Sequence, residues 1–172
     1  MPYYLQIETT TYGFMTAKCG SSDVADRLSN LNGEVAGENF CYVYDFSVTV
    51  EQPHNEAGAG NVSSVAAIHE VNFTLPDYEP LTAAALNILS GQDLIKSVVL
   101  NVTAVQKGNH QLLGQYTMQN GMLVGYAHQI QDQREEQARR QRGEAELKFK
   151  FQQIDFEDRV SQTQGSMTTN AV

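Results

Sequence analysis

The stretch Cys41-Tyr42-Val43-Tyr44-Asp45-Phe46-Ser47-Val48-Thr49-Val50 decides the fold class. It puts Tyr42, Tyr44, Phe46, Val48 and Val50 on one face and Cys41, Val43, Asp45, Ser47 and Thr49 on the other. A period of two is the repeat of an extended strand, whose successive side chains point to opposite sides. Aromatic and β-branched residues also fit a pleated, half-buried surface. The alternation recurs in both directions along the chain. Tyr3, Leu5 and Ile7 share a face, as do Val71, Phe73 and Leu75, then Leu94, Val98, Leu100 and Val102, and finally Leu147, Phe149 and Phe151. Residues 112–119 and 122–130 read as a hairpin turning at Asn120-Gly121, because both residue types tolerate positive φ. After Phe151 the apolar parity changes to Ile154 and Phe156, which predicts a β-bulge near Gln152-Gln153.

One segment breaks the period. Asp77-Tyr78-Glu79-Pro80 is an acidic start with Pro at a helix-opening position. Leu81, Ala84, Ala85, Ile88 and Leu89 then follow the spacing of a buried helical stripe. Ser90-Gly91 ends it, with Gly91 suited to a left-handed cap. The expected helix covers residues 80–90. Seven or so strands and one short helix make an all-β barrel or sandwich, without the βαβ repeats of a Rossmann or TIM architecture.

The 172 residues fit one domain and are long enough to bury a core without disulfide or metal support. Eight Tyr and seven Phe, with no Trp, supply its aromatic material. The net charge of −9 is repelled by nucleic-acid phosphates and by anionic lipid. Residues 1–10 lack the basic start and apolar run of a signal peptide, and no apolar run of about 18 residues exists. No membrane insertion and no cleaved leader are therefore expected. Cys19 and Cys41 form no C-x-x-C motif and read as reduced thiols or as one optional bridge.

The expected division is a barrel domain over residues 1–158 and a polar tail over 159–172. Residues 51–67 read as a long extended loop containing Pro53, His54, Ala57, Gly58, Ala59 and Gly60. Residues 131–143 form an Arg/Glu-rich loop without large apolar side chains.

Nothing in the sequence marks a catalytic, cofactor or metal site. His54, His69, His110 and His128 have no second ligand at metal spacing. His69 and Glu70 are adjacent on a strand and so point to opposite faces. No nucleophile elbow or phosphate loop occurs, and Gly58-Ala59-Gly60 is followed by no helix. Glu135, Glu136, Glu144 and Glu146 interleave with arginines in a solvated run, which lacks the cleft that two-carboxylate chemistry needs. The same acids dilute the field of Arg134, Arg139, Arg140 and Arg142, which makes these arginines a candidate inter-subunit contact rather than a nucleic-acid site.

The order of these segments resembles the haemolysin-coregulated protein (Hcp) family of bacterial type VI secretion. Tyr3-Tyr4-Leu5-Gln6-Ile7 is similar to the family's first strand. The strand at 42–50 with its Gly/Ala/Ser loop, the following Ile68-His69-Glu70-Val71-Asn72-Phe73-Thr74 and the Asp77/Pro80 helix are similar to its central part. Residues 146–156 look like its closing strand. The likeness spans residues 3–157. The chain departs from the family at Leu75-Pro76, where Lys is common, and in the length of 131–143. The resemblance implies an Hcp-like β-barrel protomer, related in architecture to phage tail-tube proteins. It implies a homo-hexameric ring, stacking into a tube through the loop at Pro53, His54, Ala57, Gly58, Ala59 and Gly60. It further implies a contractile sheath, a baseplate and a VgrG-type spike as partners, with small effectors carried in the lumen. The protein would be held in the bacterial cytoplasm before firing and then expelled without a cleaved signal peptide. The competing readings are a phage-like contractile tail tube, a lipocalin-like small-ligand barrel, and a secreted enzyme or toxin whose site needs a partner.

Overall fold

The computed structural model describes residues 2–17, 19, 39–51, 67–106, 109–130, 132–136 and 143–168. Its elements are β1 (Tyr3–Thr9), β2 (Cys41–Val43), β3 (Asp45–Glu51), β4 (Ala67–Pro76), α1 (Glu79–Gly91), β5 (Leu94–Gln106), β6 (Asn109–Gln129), β7 (Glu144–Asp158) and β8 (Thr163–Thr168). The sheet is antiparallel, in the order β2-β1-β5-β6-β7-β4-β3, with β8 added to β7. Only Tyr44 separates β2 from β3, and its N–H donates to the Thr74 carbonyl on β4 (2.8 Å). One run of chain therefore leaves β1 and joins β4, closing the sheet into a barrel. Among the described residues the fold is all-β with a single helix, as expected.

The interior is filled by side chains. Phe46 stacks on Phe73 with ring centroids 5.1 Å apart and lies 5.2 Å from Tyr116. Phe73 meets Phe149 edge-on at 5.8 Å, and Phe149 stacks on Phe151 at 5.5 Å. Such contacts add about 0.5–1.5 kcal/mol per pair beyond the area buried. Leu5, Ile7, Val71, Leu75, Val98, Leu100, Met118 and Leu147 complete this core. Leu81, Ala85 and Ile88 of α1 are buried in the same cluster, and Ala84 and Leu89 pack beside them, as the helical stripe requires.

Several expectations change where the inward parity of a strand reverses or a ladder shifts register. The pleat reverses at Tyr44: Cys41 and Val43 are buried before it, whereas Phe46 and Val48 face the core after it. The alternation at 42–50 is thus two strands with opposite inward parity. On β5, Ile95 is buried and Leu94 is 53% exposed, because the β1–β5 ladder shifts register between Glu8 and Thr9. Leu94 does not join Val98 and Leu100.

The expected hairpin at Asn120-Gly121 is absent; both residues lie inside the 21-residue strand β6. The type I′ turn that Asn-Gly favours has both residues at positive φ. Asn120 adopts φ 55°, while Gly121 is not among the positive-φ residues, so the strand kinks and continues. The parity change on β7 falls in the same rows of the sheet, between Gly121↔Phe151 and Gln119↔Gln153. Ile154 is buried after Phe151, yet β7 keeps uniform pairing with β6 through Gln119↔Gln153 and Gly121↔Phe151. The bulge expected at Gln152-Gln153 is absent from the β6–β7 ladder, which keeps one register there. A separate β6–β7 register shift falls between Leu123 and Gly125.

The left-handed cap of α1 is Gln92 (φ 52°), not Gly91. Gly91 serves a close approach: a β-carbon there would stand 2.9 Å from the Tyr12 hydroxyl. The segment expected as a polar tail also differs, since Thr163–Thr168 forms β8.

Candidate assembly surfaces

β8 is created by the turn that precedes it. Asp158 Oδ1 accepts from the N–H groups of Val160 (2.9 Å) and Ser161 (3.2 Å), and Oδ2 accepts from the Ser161 hydroxyl (2.8 Å). The Ser161 hydrogen bonds hold the Asp158 carboxyl below its ordinary range. Gln162 adopts φ 58°, and the chain then returns along β7 from Asp158↔Thr163 to Gln153↔Thr168. Among the described residues, nothing pairs the far edge of β8. Its sequence, Thr-Gln-Gly-Ser-Met-Thr, carries no charge and no proline. Natural edge strands are commonly blunted by Lys, Pro or bulges, and a strand without them is a template for another strand. β4 and β8 share the edge of β7 opposite β6, β4 along residues 144–149 and β8 along 153–158, and β3 pairs β4 at the end of the sheet path.

Ladder register aligns two rows of side chains on the face away from the main core, polar and open towards β6, β7 and β8 but covered at the β1 end, where Tyr4 and Asn101 are buried and Val99 packs against the Tyr4–Phe40 cluster. One row runs Gln6, Val99, Thr117, Asp155, Ser166 across β1, β5, β6, β7 and β8. The next runs Tyr4, Asn101, Gln115, Glu157, Gln164. Ser166 donates its hydroxyl hydrogen to Asp155 Oδ1, and Gln153 Nε2 donates to Asp155 Oδ2 (2.9 Å). Gln115 Nε2 donates to Asn101 Oδ1 (2.8 Å). Gln115, Thr117, Asp155, Glu157, Gln164 and Ser166 line a shallow groove of hydrogen-bonding groups. A small apolar patch interrupts the outside at the other end of β6. Leu94 and Met122 face each other across β5 and β6, and Val124 follows on β6.

Of the arginines singled out in the sequence, Arg134 is exposed and grips its neighbour Asp132 with Nε–Oδ1 at 2.9 Å and Nη2–Oδ2 at 2.6 Å. The pair depresses the Asp132 carboxyl and raises the Arg134 guanidinium. Arg139, Arg140 and Arg142 lie outside the described residues, as do Pro53, His54, Ala57, Gly58, Ala59 and Gly60. His128 Nε2 lies 3.3 Å from Asp77 Oδ2, joining the end of β6 to the approach to α1. Tyr126 and Thr82 make a second such link, hydroxyl to hydroxyl at 2.7 Å. Among the described residues, no group of three or more His, Cys, Asp and Glu side chains is placed to hold a metal ion. No helix among them is long and apolar enough to cross a membrane.

The sequence does not expose the β8 edge as a surface. Its signal is the Asp158…Ser161 turn motif followed by β-tolerant Thr and Met, which a Ser/Thr/Gln-rich composition hides.

No protein-family model matches the sequence, and no curated protein matches it. Solved structures do. A crystal structure of an Hcp protein superposes with a TM-score of 0.79 at 13% identity, covering 99% of each chain. The secreted protein Hcp3 from Pseudomonas aeruginosa gives 0.70 at 16% identity, covering 98% of this chain and 100% of that one. A type VI secretion system effector from Yersinia pestis gives 0.60 at 11% identity, covering 97% and 99%. Barrel, helix and closing strands thus correspond end to end despite the low identity, and the chain has the Hcp fold.

Proposed function

We propose that this chain is the structural subunit of a type VI secretion tube, acting by self-association rather than by making or breaking a bond. The supporting observation is the whole-length correspondence with Hcp structures, at a TM-score of 0.79 over 99% of both chains. In this reading protomers join into a hexameric ring through heterologous contacts. Rings stack head to tail through a second face that does not close. The uncharged edge of β8 suits the ring contact, since strand addition uses backbone groups and tolerates varied side chains. Sheath, baseplate and VgrG-type spike proteins are the expected partners and small effectors the expected cargo. The protein would wait in the cytoplasm and leave through the machine. The barrel interior, filled by Phe46, Phe73, Tyr116 and Phe149, weighs against a lipocalin-like carrier.

Negative-stain imaging and sedimentation of the purified protein test the proposal. Annular particles of six protomers are expected. A lone protomer at every concentration and ionic strength would overturn it. Gly165→Lys tests the edge: a β-carbon at Gly165 meets nothing within 4 Å, so the protomer should fold while the ring weakens. Unchanged rings in that variant would move the ring contact elsewhere.

A further inference from the structure

Cys19 and Cys41 are far apart in sequence and are brought to one place by the fold. Cys41 lies on β2, in register with Leu5 of β1. The chain after β1 turns back on that strand: the Met15 N–H donates to the Ile7 carbonyl (2.9 Å), and the Ile7 N–H donates to Thr16 Oγ1 (3.1 Å). Thr16 is buried and donates its hydroxyl hydrogen to the Asn39 carbonyl (2.5 Å), two residues before Cys41. The Cys19 N–H donates to the Thr16 carbonyl (3.2 Å), and its thiol points at the Ala17 carbonyl (3.6 Å). Both sulfurs belong to the same core cluster, with Cys41 fully buried and Cys19 nearly so. Burial, and after it the neighbouring Cys19 thiol, pushes the Cys41 thiol well above its usual range.

We infer that Cys19 and Cys41 are the two halves of an intramolecular disulfide that forms when the protein meets a disulfide oxidant. The thiols sit on two segments that Thr16 ties together, and the bond would convert that hydrogen-bonded junction into a covalent one. The exchange balances with oxidised glutathione as oxidant. One protein thiolate attacks the glutathione disulfide, whose S–S bond breaks and releases one reduced glutathione. The second protein thiolate attacks the mixed disulfide and forms the protein S–S bond. The second glutathione leaves and takes up a proton. Two protein thiols are oxidised and one glutathione disulfide is reduced. Because the thiolate is the nucleophile and Cys41 is held protonated by burial, oxidation should be slow and limited by local opening. The inference concerns the protomer and stands whether or not it assembles.

The full chain is incubated with oxidised glutathione, with and without mild urea, and its intact mass and peptides are read. The expected product has lost the mass of two hydrogen atoms, carries a peptide joining Cys19 to Cys41 and reverts with a thiol reductant. Its thermal midpoint should rise by about 5–10 °C for a loop of this length. Cys19→Ser and Cys41→Ser should each abolish the joined peptide; Cys→Ala replaces either variant if it folds poorly. Overturning results are glutathione adducts on both cysteines, cross-linked dimers, or two thiols still alkylatable after exposure in urea.

Discussion

Gly121 of β6 and Phe151 of β7 oppose each other with no room for a side chain between them. A β-carbon at Gly121 would fall against Phe151 Cδ1, 2.7 Å from Cε1 and 2.5 Å from the Lys150 carbonyl oxygen. Phe151 is held in turn by its stack on Phe149, and the carbonyl is backbone. Neither can move aside cheaply. Gly121→Ala is expected to destabilise the protomer by about 1–3 kcal/mol through overpacking. Gly165→Ala, with open space at the same atom, should change stability by less than about 0.5 kcal/mol. Urea denaturation of the two variants beside the parent measures the difference.

The Asn120-Gly121 pair also shows how far local chemistry reaches. Its residue types announce positive φ, and positive φ does occur at Asn120. Whether the chain turns back there or continues is decided by the pairing of β6 with both β5 and β7 on either side of the pair. The strands themselves were legible because Val71, Phe73 and Leu75 alternate cleanly and are all buried. The helix was legible because Leu81, Ala85 and Ile88 repeat at its own period. Pleat reversals at Tyr44 and between Ile95 and Val98 were not, since they depend on where a strand changes neighbours. The β8 edge escaped for a related reason: Thr, Gln and Ser fit a solvent-facing strand as readily as a tail.

Tyr4 is fully buried in a small second cluster with Phe40, beside Tyr42, Val99 and Leu112. Its ring meets Tyr42 edge-on at 6.0 Å, but its hydroxyl has no hydrogen-bond partner among the described residues. A buried polar group left unsatisfied costs about 1–3 kcal/mol. Tyr4→Phe keeps the ring and removes that group, so it should be neutral or stabilising by up to about 1 kcal/mol. Phe73→Ala, which empties the aromatic core, should cost about 3–5 kcal/mol. A loss of stability in Tyr4→Phe, read from the denaturation midpoint, would mean that the hydroxyl has a partner after all.

Asp93 gives the fold a defined response to acid. Its Oδ1 accepts from the Thr10 hydroxyl (2.6 Å), and Oδ2 accepts from the N–H groups of Thr11 (3.2 Å) and Tyr12 (3.3 Å). Burial alone pushes this carboxyl up; the hydrogen bonds from Thr10, Thr11 and Tyr12 more than reverse it, leaving the pKa at about 2. An unfolded Asp titrates near ~3.9. The folded value is therefore the lower one, and the stabilisation is complete above about pH 4 and is lost as the pH falls towards about 2. Hydrogen exchange at the Thr11 and Tyr12 amides should accelerate in Asp93→Asn relative to the parent at pH 6. Equal protection in the two proteins would show that the loop is held by other contacts.

The stacking contact can be separated from the ring contact by mutation. In the proposed reading it lies in the loop whose Ala57, Gly58, Ala59 and Gly60 are small enough to lie flat on a neighbouring ring. These residues follow β3, whose last residue is Glu51, so removing them leaves the paired strands unbroken. Deleting Ala57 to Gly60 should preserve annular particles and abolish long tubes. The net charge of −9 sets the second half of the test. Like-charged rings repel at low ionic strength, where the screening length is roughly 30 Å at 0.01 M, and repel less at roughly 3 Å in 1 M salt. Tubes of the parent protein should therefore lengthen as salt is raised, while the deletion variant remains as single rings throughout. Electron microscopy across a salt series reads both effects at once. Normal tubes from the deletion variant would place the stacking contact outside this loop, and tubes that shorten as salt rises would mean that ring-to-ring attraction is itself electrostatic.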